Sequence, residues 1–256
     1  MHFDLITIFP DMLESYFSKG MIRIAQEKKL IKIKTHDLRQ FAVDKHGTVD
    51  DRPYGGGPGQ VLMVEPVYKA LKQLSNEATK QRSNETMKQP TFTTSSVGKR
   101  NKKIKIVLLS ARGKKWDQQM AQKFSKLDQV IFVCPRYEGH DERIRKFVDE
   151  EISIGDFILT GGELAAAVII DSVTRLIPGV LGKQESLRDE SHSKPGYLEY
   201  PQYTRPEVFE FKTCKTSPAK LCGASKTSKL KVPMILLSGH HANIAEWRNK
   251  HEKLNS

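Results

Sequence analysis

Four short apolar runs constrain this chain more than any other feature: FDLITIF at 3–9, KIKIVLLS at 103–110, QVIFVCP at 129–135 and EEISIGDFIL at 150–159. Runs of this length are too short for core helices and fit buried strands. Between and beside them lie segments with helical spacing. Asp11 caps a predicted helix carrying Met12, Leu13, Tyr16 and Phe17; EPVYKALKQL starts another near Glu65; WDQQMAQKFSKL and GELAAAVIIDSVTRLI supply two more. LIKIKTHDL, 30–38, alternates apolar and polar like a further strand. Strands alternating with helices predict an α/β fold around a mainly parallel sheet. Ligands in such sheets bind beyond the carboxyl ends of the strands, which here means the loops SARGKK, CPRYEGHDER and LTGGE.

Charge divides the chain. Of the net +12, the segment from Lys72 to Lys105 contributes +7 and that from Lys212 to Lys231 contributes +6, leaving a body close to neutral. Both segments read either as solvated lysine-rich loops or as arms for a polyanion. The polar stretch of about 75–103 predicts a disordered insertion. Boundaries fall at 1–181 for the main domain, 182–205 for a polar linker, and 206–256 for a small C-terminal domain with its basic insertion at about 212–231. No apolar run is long enough for a membrane span, and the N-terminus lacks a signal-like lysine cluster, so a cytoplasmic protein is expected. Cys134, Cys214 and Cys222 are odd in number and lack CxxC spacing, which predicts neither disulfides nor a metal site.

The loop RPYGGGPGQ, 52–60, lacks the GK[ST] of a P-loop, and Gln60 stands where GxGxxG needs its last glycine. Its glycines at 55, 56, 57 and 59 suit positive φ and close approach to the backbone, or a tight turn packed on its own protein. CPRYEG places Arg136, Tyr137 and Glu138 just past a buried strand, and SIGDFILTGGE ends in paired glycines that let backbone groups face a ligand. Asp171 and Arg175 stand four apart on one helix, the spacing of a surface ion pair, although the surrounding residues are apolar. Asp189, Glu190 and His192 are acid–base candidates in the linker, or merely solvate it.

Taken in order, DLITIFPDML, VDDRPYGGGPGQ, CPRYEGHDER, SIGDFILTGGELAA, DSVTRLIPGVLG, YPQYTRPEVFE and LLSGHHANIAEWR resemble the bacterial tRNA (guanine-N1)-methyltransferase family, TrmD, of the SPOUT superfamily. The resemblance covers nearly the whole chain outside the two basic insertions. It implies a SPOUT fold with a deep trefoil knot and a small helical C-terminal domain. It also implies a homodimer with active sites at the subunit interface, and methylation of tRNA guanosine 37 at N1 using S-adenosylmethionine. Leu108, Leu109, Ser110, Pro135, Tyr137, Glu138, Gly139, Ser153, Ile154, Gly155, Phe157, Leu159, Gly161 and Gly162 would hold that cofactor. Asp50, Arg52, Tyr54, Gly55, Gly56, Gly57, Pro58, Gly59 and Arg205 would meet the RNA. Arg175 would stabilise charge developing on guanine O6, and Glu190, or Asp189 beside it, would take the N1 proton. His240 and His241 look like the start of a tRNA-contacting helix. Several positions depart from the family: Gly47, Gln60 and Pro135 replace its usual residues, and the C-terminal domain is short. The competing readings are a SPOUT methyltransferase for another RNA and an inactive RNA-binding protein. The requirement for Mg2+ stays open.

Overall fold

The computed structural model describes residues 1–86, 103–182, 190–194, 196–213 and 226–254. The chain divides into two compact units, Met1–Gln184 and Glu185–Ser256. The first contains β1 (His2–Thr7), α1 (Glu14–Phe17), α2 (Gly20–Glu27), β2 (Lys32–Asp37), the short pair β3 (Asp50–Asp51) and β4 (Val61–Leu62), α3 (Val64–Thr86), β5 (Ile104–Lys115), α4 (Gln118–Phe124), β6 (Gln129–Val133), β7 (Glu150–Ser153) and α5 (Glu163–Thr174). Its sheet runs β2-β1-β6-β5-β7, and every neighbouring pair is parallel.

Strand periodicity sorts the core into two layers. Phe3 and Leu5 of β1, Val107 and Leu109 of β5, and Val130 and Phe132 of β6 join a cluster with residues of α1, α2, α4 and α5. The alternate residues Ile6, Leu108, Ile131 and Val133 join a second cluster with Val67, Ala70, Leu71 and Leu74 of α3. A sheet covered on both faces explains why its strands read as continuous apolar runs.

Several expectations are corrected. Asp11 does not cap a helix by its side chain: 10–13 form a turn, α1 is four residues long, and α2 begins separately at Gly20, whose φ is +57°. The helix α3 continues through the polar sequence to Thr86, a stretch with neither glycine nor proline in which Ala, Gln, Lys, Arg and Glu alternate with Ser, Asn and Thr. The rest of that expected insertion, 87–102, lies outside the described residues. SARGKK is no connecting loop: β5 bulges after Leu109 and returns to pair Lys114 and Lys115 with β7. Gly113 permits this, since a Cβ there would meet the Ile152 backbone at 2.5 Å. The strand expected at 150–159 ends at Ser153, where Gly155 turns the backbone at φ +157°.

The second unit pairs β8 (Tyr197–Leu198) with β11 (Lys253–Leu254), and β9 (Val208–Thr213) with β10 (Lys226–Lys231), both antiparallel. Helices α6 (Met234–Leu237) and α7 (His241–His251) complete it. It is therefore not purely helical, and the basic segment closes a hairpin whose central residues, 214–225, lie outside the description. No described side chain of this unit is buried. Among the described residues, no helix is long and apolar enough to cross a membrane.

Candidate active site

A cavity of about 430 Å³ opens at the bulge of β5 and the carboxyl ends of β6 and β7, a volume within the range of small-molecule sites. Leu109 and Ser110 of β5 line one side. Pro135, Tyr137, Glu138 and Gly139 come from the loop after β6. Ser153, Ile154, Gly155, Phe157, Leu159, Gly161 and Gly162 come from the loop between β7 and α5. Leu108 is not brought there: strand alternation turns it into the opposite core layer, fully buried. The structure adds Ala111, Arg136, His140, Ile152, Ile158, Thr160 and Ala165 to the lining. Most of these neighbour expected positions, so loop membership was the available signal; Ala165, one turn into α5, had none.

The two loops are locked together at their base. The Gly162 amide donates to the Pro135 carbonyl at 2.9 Å, and Arg136 bridges both Gly139 and Gly161. A Cβ on Gly162 would lie 2.8 Å from the Cys134 Cα, and one on Gly161 would lie 2.3 Å from the Arg136 Nε. Glycine is required here by proximity. Arg136 donates from Nε to both Glu163 carboxylate oxygens at 3.1 and 3.0 Å and stacks 4.7 Å over the Phe9 ring. Glu163 is buried and also accepts from the Thr7 hydroxyl at 2.6 Å. A carboxylate in the first turn of α5 suits the helix dipole. Burial, reinforced by Glu163, pushes the Cys134 thiol well up, so it stays protonated. His140 is held below its usual range by burial, which keeps the ring neutral, and its Nε2 is buried without a hydrogen-bond partner.

The glycine loop is tied to this cavity. The Glu138 amide donates to the Gln60 carbonyl and the Leu62 amide to the Gly139 carbonyl, each at 3.0 Å. Tyr137, itself in a left-handed conformation at φ +62°, hydrogen-bonds the Asp50 side chain. Burial and then Asp50 raise its phenol pKa, so the hydroxyl remains a donor. Gly55, Gly56, Gly57 and Gly59 all have positive φ. Around a Cβ on Gly55 or Gly56 there is nothing within 4 Å, whereas one on Gly59 would strike Glu138 at 2.4 Å. Arg52 and Pro58 are exposed, and Tyr54 is fully so.

Arg175 caps the far end of α5, its amide donating to the Asp171 carbonyl. At 1.5 Å per residue it lies roughly 15 Å along the helix from Ala165 in the cavity wall, beyond the reach of an arginine side chain. Asp171 hydrogen-bonds Tyr16. In the second unit, the Glu190 carbonyl accepts from the Ser193 amide at 3.0 Å; Asp189 lies outside the described residues. Arg205 borders a separate hollow with Tyr200, Tyr203 and Trp247. His240 precedes α7 and His241 begins it. Among the described residues no group of three or more His, Cys, Asp or Glu side chains is arranged to hold a metal.

The whole chain, residues 1–256, matches the family described as tRNA (Guanine-1)-methyltransferase TrmD. It belongs to that family. A tRNA (guanine-N(1)-)-methyltransferase of Dictyoglomus turgidum is 42% identical over 98% of this chain and 84% of its own length. One from Geobacter sp. strain M21 is 44% identical, covering 98% and 85%. The crystal structure of the tRNA (m1G37) methyltransferase from Aquifex aeolicus superposes with a TM-score of 0.68 at 34% identity, over 98% of this chain and 88% of that one.

Proposed function

We propose that this TrmD-family protein methylates N1 of guanosine 37 in tRNA, 3′ of the anticodon, with S-adenosylmethionine as donor, in the cytoplasm, in support of reading-frame maintenance. The observation that carries the reading is the cavity at the bulge of β5 and the carboxyl ends of β6 and β7, bound by Tyr137 and Asp50 to the outward-facing glycine loop. The residues fit the donor: apolar Ile154, Phe157 and Leu159 suit a purine face, and Glu138 offers charge to an amino-acid tail.

When bound, S-adenosylmethionine supplies an electrophilic methyl group on a sulfonium. Guanine N1 carries a proton, so its lone pair becomes available only as that proton leaves. Glu190, with Asp189 as its neighbouring alternative, accepts the proton. Arg175 stabilises the negative charge that then builds on O6. The new bond is N1–CH3, and the electron pair of the broken C–S bond stays on sulfur. Gly55, Gly56, Gly57, Pro58 and Gly59, with Asp50, Arg52 and Tyr54, receive the flipped base. Arg205 and the C-terminal unit grip the tRNA.

Because Arg175 cannot reach the cavity of its own chain, the reading includes a homodimer in which one copy supplies the cavity and the other the arginine. A trefoil knot in the cofactor-binding loops belongs to the same proposal. No residue is assigned to Mg2+; activity measured with and without EDTA tests that requirement.

The experiment is transfer of labelled methyl from S-adenosylmethionine to an unmodified tRNA transcript with guanosine at 36 and 37, followed by nucleoside identification. N1-methylguanosine at 37 is expected, with Arg175→Ala slower by roughly 100- to 1000-fold. Methyl transfer to a different nucleoside, or tRNA binding without transfer, contradicts the reading.

A further inference from the structure

The second unit holds a hollow of its own, about 540 Å³, formed by the 200–207 segment with α6 and α7. Its volume is that of a small-molecule site. Three aromatic rings line it, Tyr200, Tyr203 and Trp247, and the charged side chains of its described lining are Arg205, Arg248 and Glu207. His251 stacks on Trp247 with ring centroids 4.0 Å apart and 22° between planes, and its Nδ1 donates to the Trp247 carbonyl at 2.7 Å. Tyr203, 49% exposed, meets the same indole at 6.2 Å and 64°. An indole fixed in this way loses little freedom when a further ring joins it. Gly239, also in the wall, has nothing within 4 Å of where a Cβ would stand, so the space beside it is open.

Two features identify the occupant. The first is charge. In the first unit Arg23, Arg39, Arg112, Arg136, Arg143 and Arg145 each pair with a carboxylate. Among the described residues neither Arg205 nor Arg248 has such a partner; Arg248 instead lies 4.8 Å over the Tyr200 ring. Guanidinium groups in this setting favour an anion, and their flat shape suits both phosphate and stacking. The second feature is the company the arginines keep. A bare phosphate would leave three rings unused and would be repelled by Glu207. An apolar peptide would gain nothing from the guanidinium groups. An unpaired nucleotide uses every part: its base stacks on the rings, its phosphate meets arginine, and a base amino group donates to the Glu207 carboxylate.

We propose that this hollow is a subsite for one unpaired nucleotide of the tRNA substrate, its base held against Tyr203 and Trp247 and its phosphate by Arg205 and Arg248. The proposal rests on the reading of the protein as a tRNA methyltransferase. It goes beyond the contact expected of Arg205, because it makes the second unit a receptor for a base taken out of its stack as well as for backbone charge.

Trp247 is a reporter placed in the site itself. The chain has two tryptophans, and the other, Trp116, donates to the Ser172 hydroxyl in the first unit. The test is tryptophan fluorescence of the full chain titrated with unmodified tRNA transcript, with GMP and with inorganic phosphate, beside the tRNA Kd measured across a salt series. The transcript is expected to quench the parent, to lose most of that quenching in Trp247→Phe, and to displace any bound GMP. Tyr203→Ala is expected to raise the tRNA Kd by about 5- to 150-fold, and Tyr203→Phe, which keeps the ring, to bind like the parent. Arg248→Gln is expected to lower the slope of log Kd against log salt by about 0.7. Arg248 is exposed, so this variant tests the site even if Tyr203→Ala loosens the unit.

A parental Kd in Tyr203→Ala, a parental salt slope in Arg248→Gln, or tRNA binding that leaves Trp247 unquenched overturns the subsite, while methylation by the parent keeps the function in place. Quenching by GMP that tRNA does not displace assigns the hollow to a free nucleotide, and quenching by phosphate alone assigns it to an anion; either overturns the proposal. A parent protein that neither binds nor methylates tRNA overturns the functional reading beneath it as well.

Discussion

Two sets of glycines border the candidate site, and they are glycines for different reasons. At Gly161 and Gly162 any Cβ would collide with Arg136 and with the Cys134 backbone, so the chain itself fills the space and the glycines let two loops close into a cradle. At Gly55 and Gly56 the space is open, and only the positive φ excludes other residues. The first pair is explained wholly by contacts inside the molecule. The second holds an unusual backbone shape that this chain alone does not use, as a surface for an RNA base would. Under the proposed function, the proximity glycines belong to the cofactor side and the conformational glycines to the substrate side.

Substitutions can break that contrast. Gly162→Ala should have the largest effect, because the Cys134 Cα at 2.8 Å is backbone at the end of a buried strand and cannot swing aside. A loss of about 1–3 kcal/mol in stability is expected. Cofactor affinity measured by calorimetry should fall by roughly 100-fold, the equivalent of about 2.7 kcal/mol. Parental affinity in this variant would show that the cradle is not the cofactor site. Gly56→Ala should cost only about 1–2 kcal/mol for a left-handed non-glycine residue. It should leave cofactor affinity alone while kcat/KM for tRNA drops; equal losses in both would erase the distinction between the two glycine sets.

Tyr137→Phe sharpens the comparison from the other direction by cutting the side-chain hydrogen bond to Asp50 while leaving the backbone bonds between the loops. A penalty of about 1 kcal/mol is expected. It should appear mainly as a raised KM for tRNA, with the cofactor constant little changed. The smallest effect concerns pH. The folded state holds the His140 pKa below its unfolded value, so the unfolded chain binds the proton more readily. Stability is therefore fully present above the unfolded pKa of about 6.5 and is lost as pH falls below it. Thermal denaturation from pH 7.5 to 5.5 should show this, and His140→Gln should flatten the dependence by one group's share.

Much of this was legible in the sequence. The apolar runs gave the sheet because both its faces are covered, and the loops after β6 and β7 gave most of the cavity because parallel strands end on one side. What periodicity could not give was local. Leu108 and Leu109 look equivalent in KIKIVLLS, yet alternation sends one into the core and the other to the cavity wall. The bulge that returns SARGKK to β7 depends on Gly113 meeting the Ile152 backbone, a contact 39 residues away in sequence. The Arg136–Glu163–Thr7 network was hidden for the same reason: its members come from β1, the loop after β6 and the start of α5.

The central claim is that one copy's cavity works with the other copy's Arg175. Mixing two inactive variants tests it most directly: Arg175→Ala, whose cavity is intact, and Leu159→Trp, which fills the cavity and keeps the arginine. If the arginine acts across the interface, re-equilibrated mixed dimers contain one complete site each. Formation of N1-methylguanosine should then recover to about a quarter of the parental rate by random pairing of symmetric subunits. A mixture that stays as inactive as its components, although mixed dimers are present by mass spectrometry, would place the arginine and the cavity in the same subunit and contradict the account.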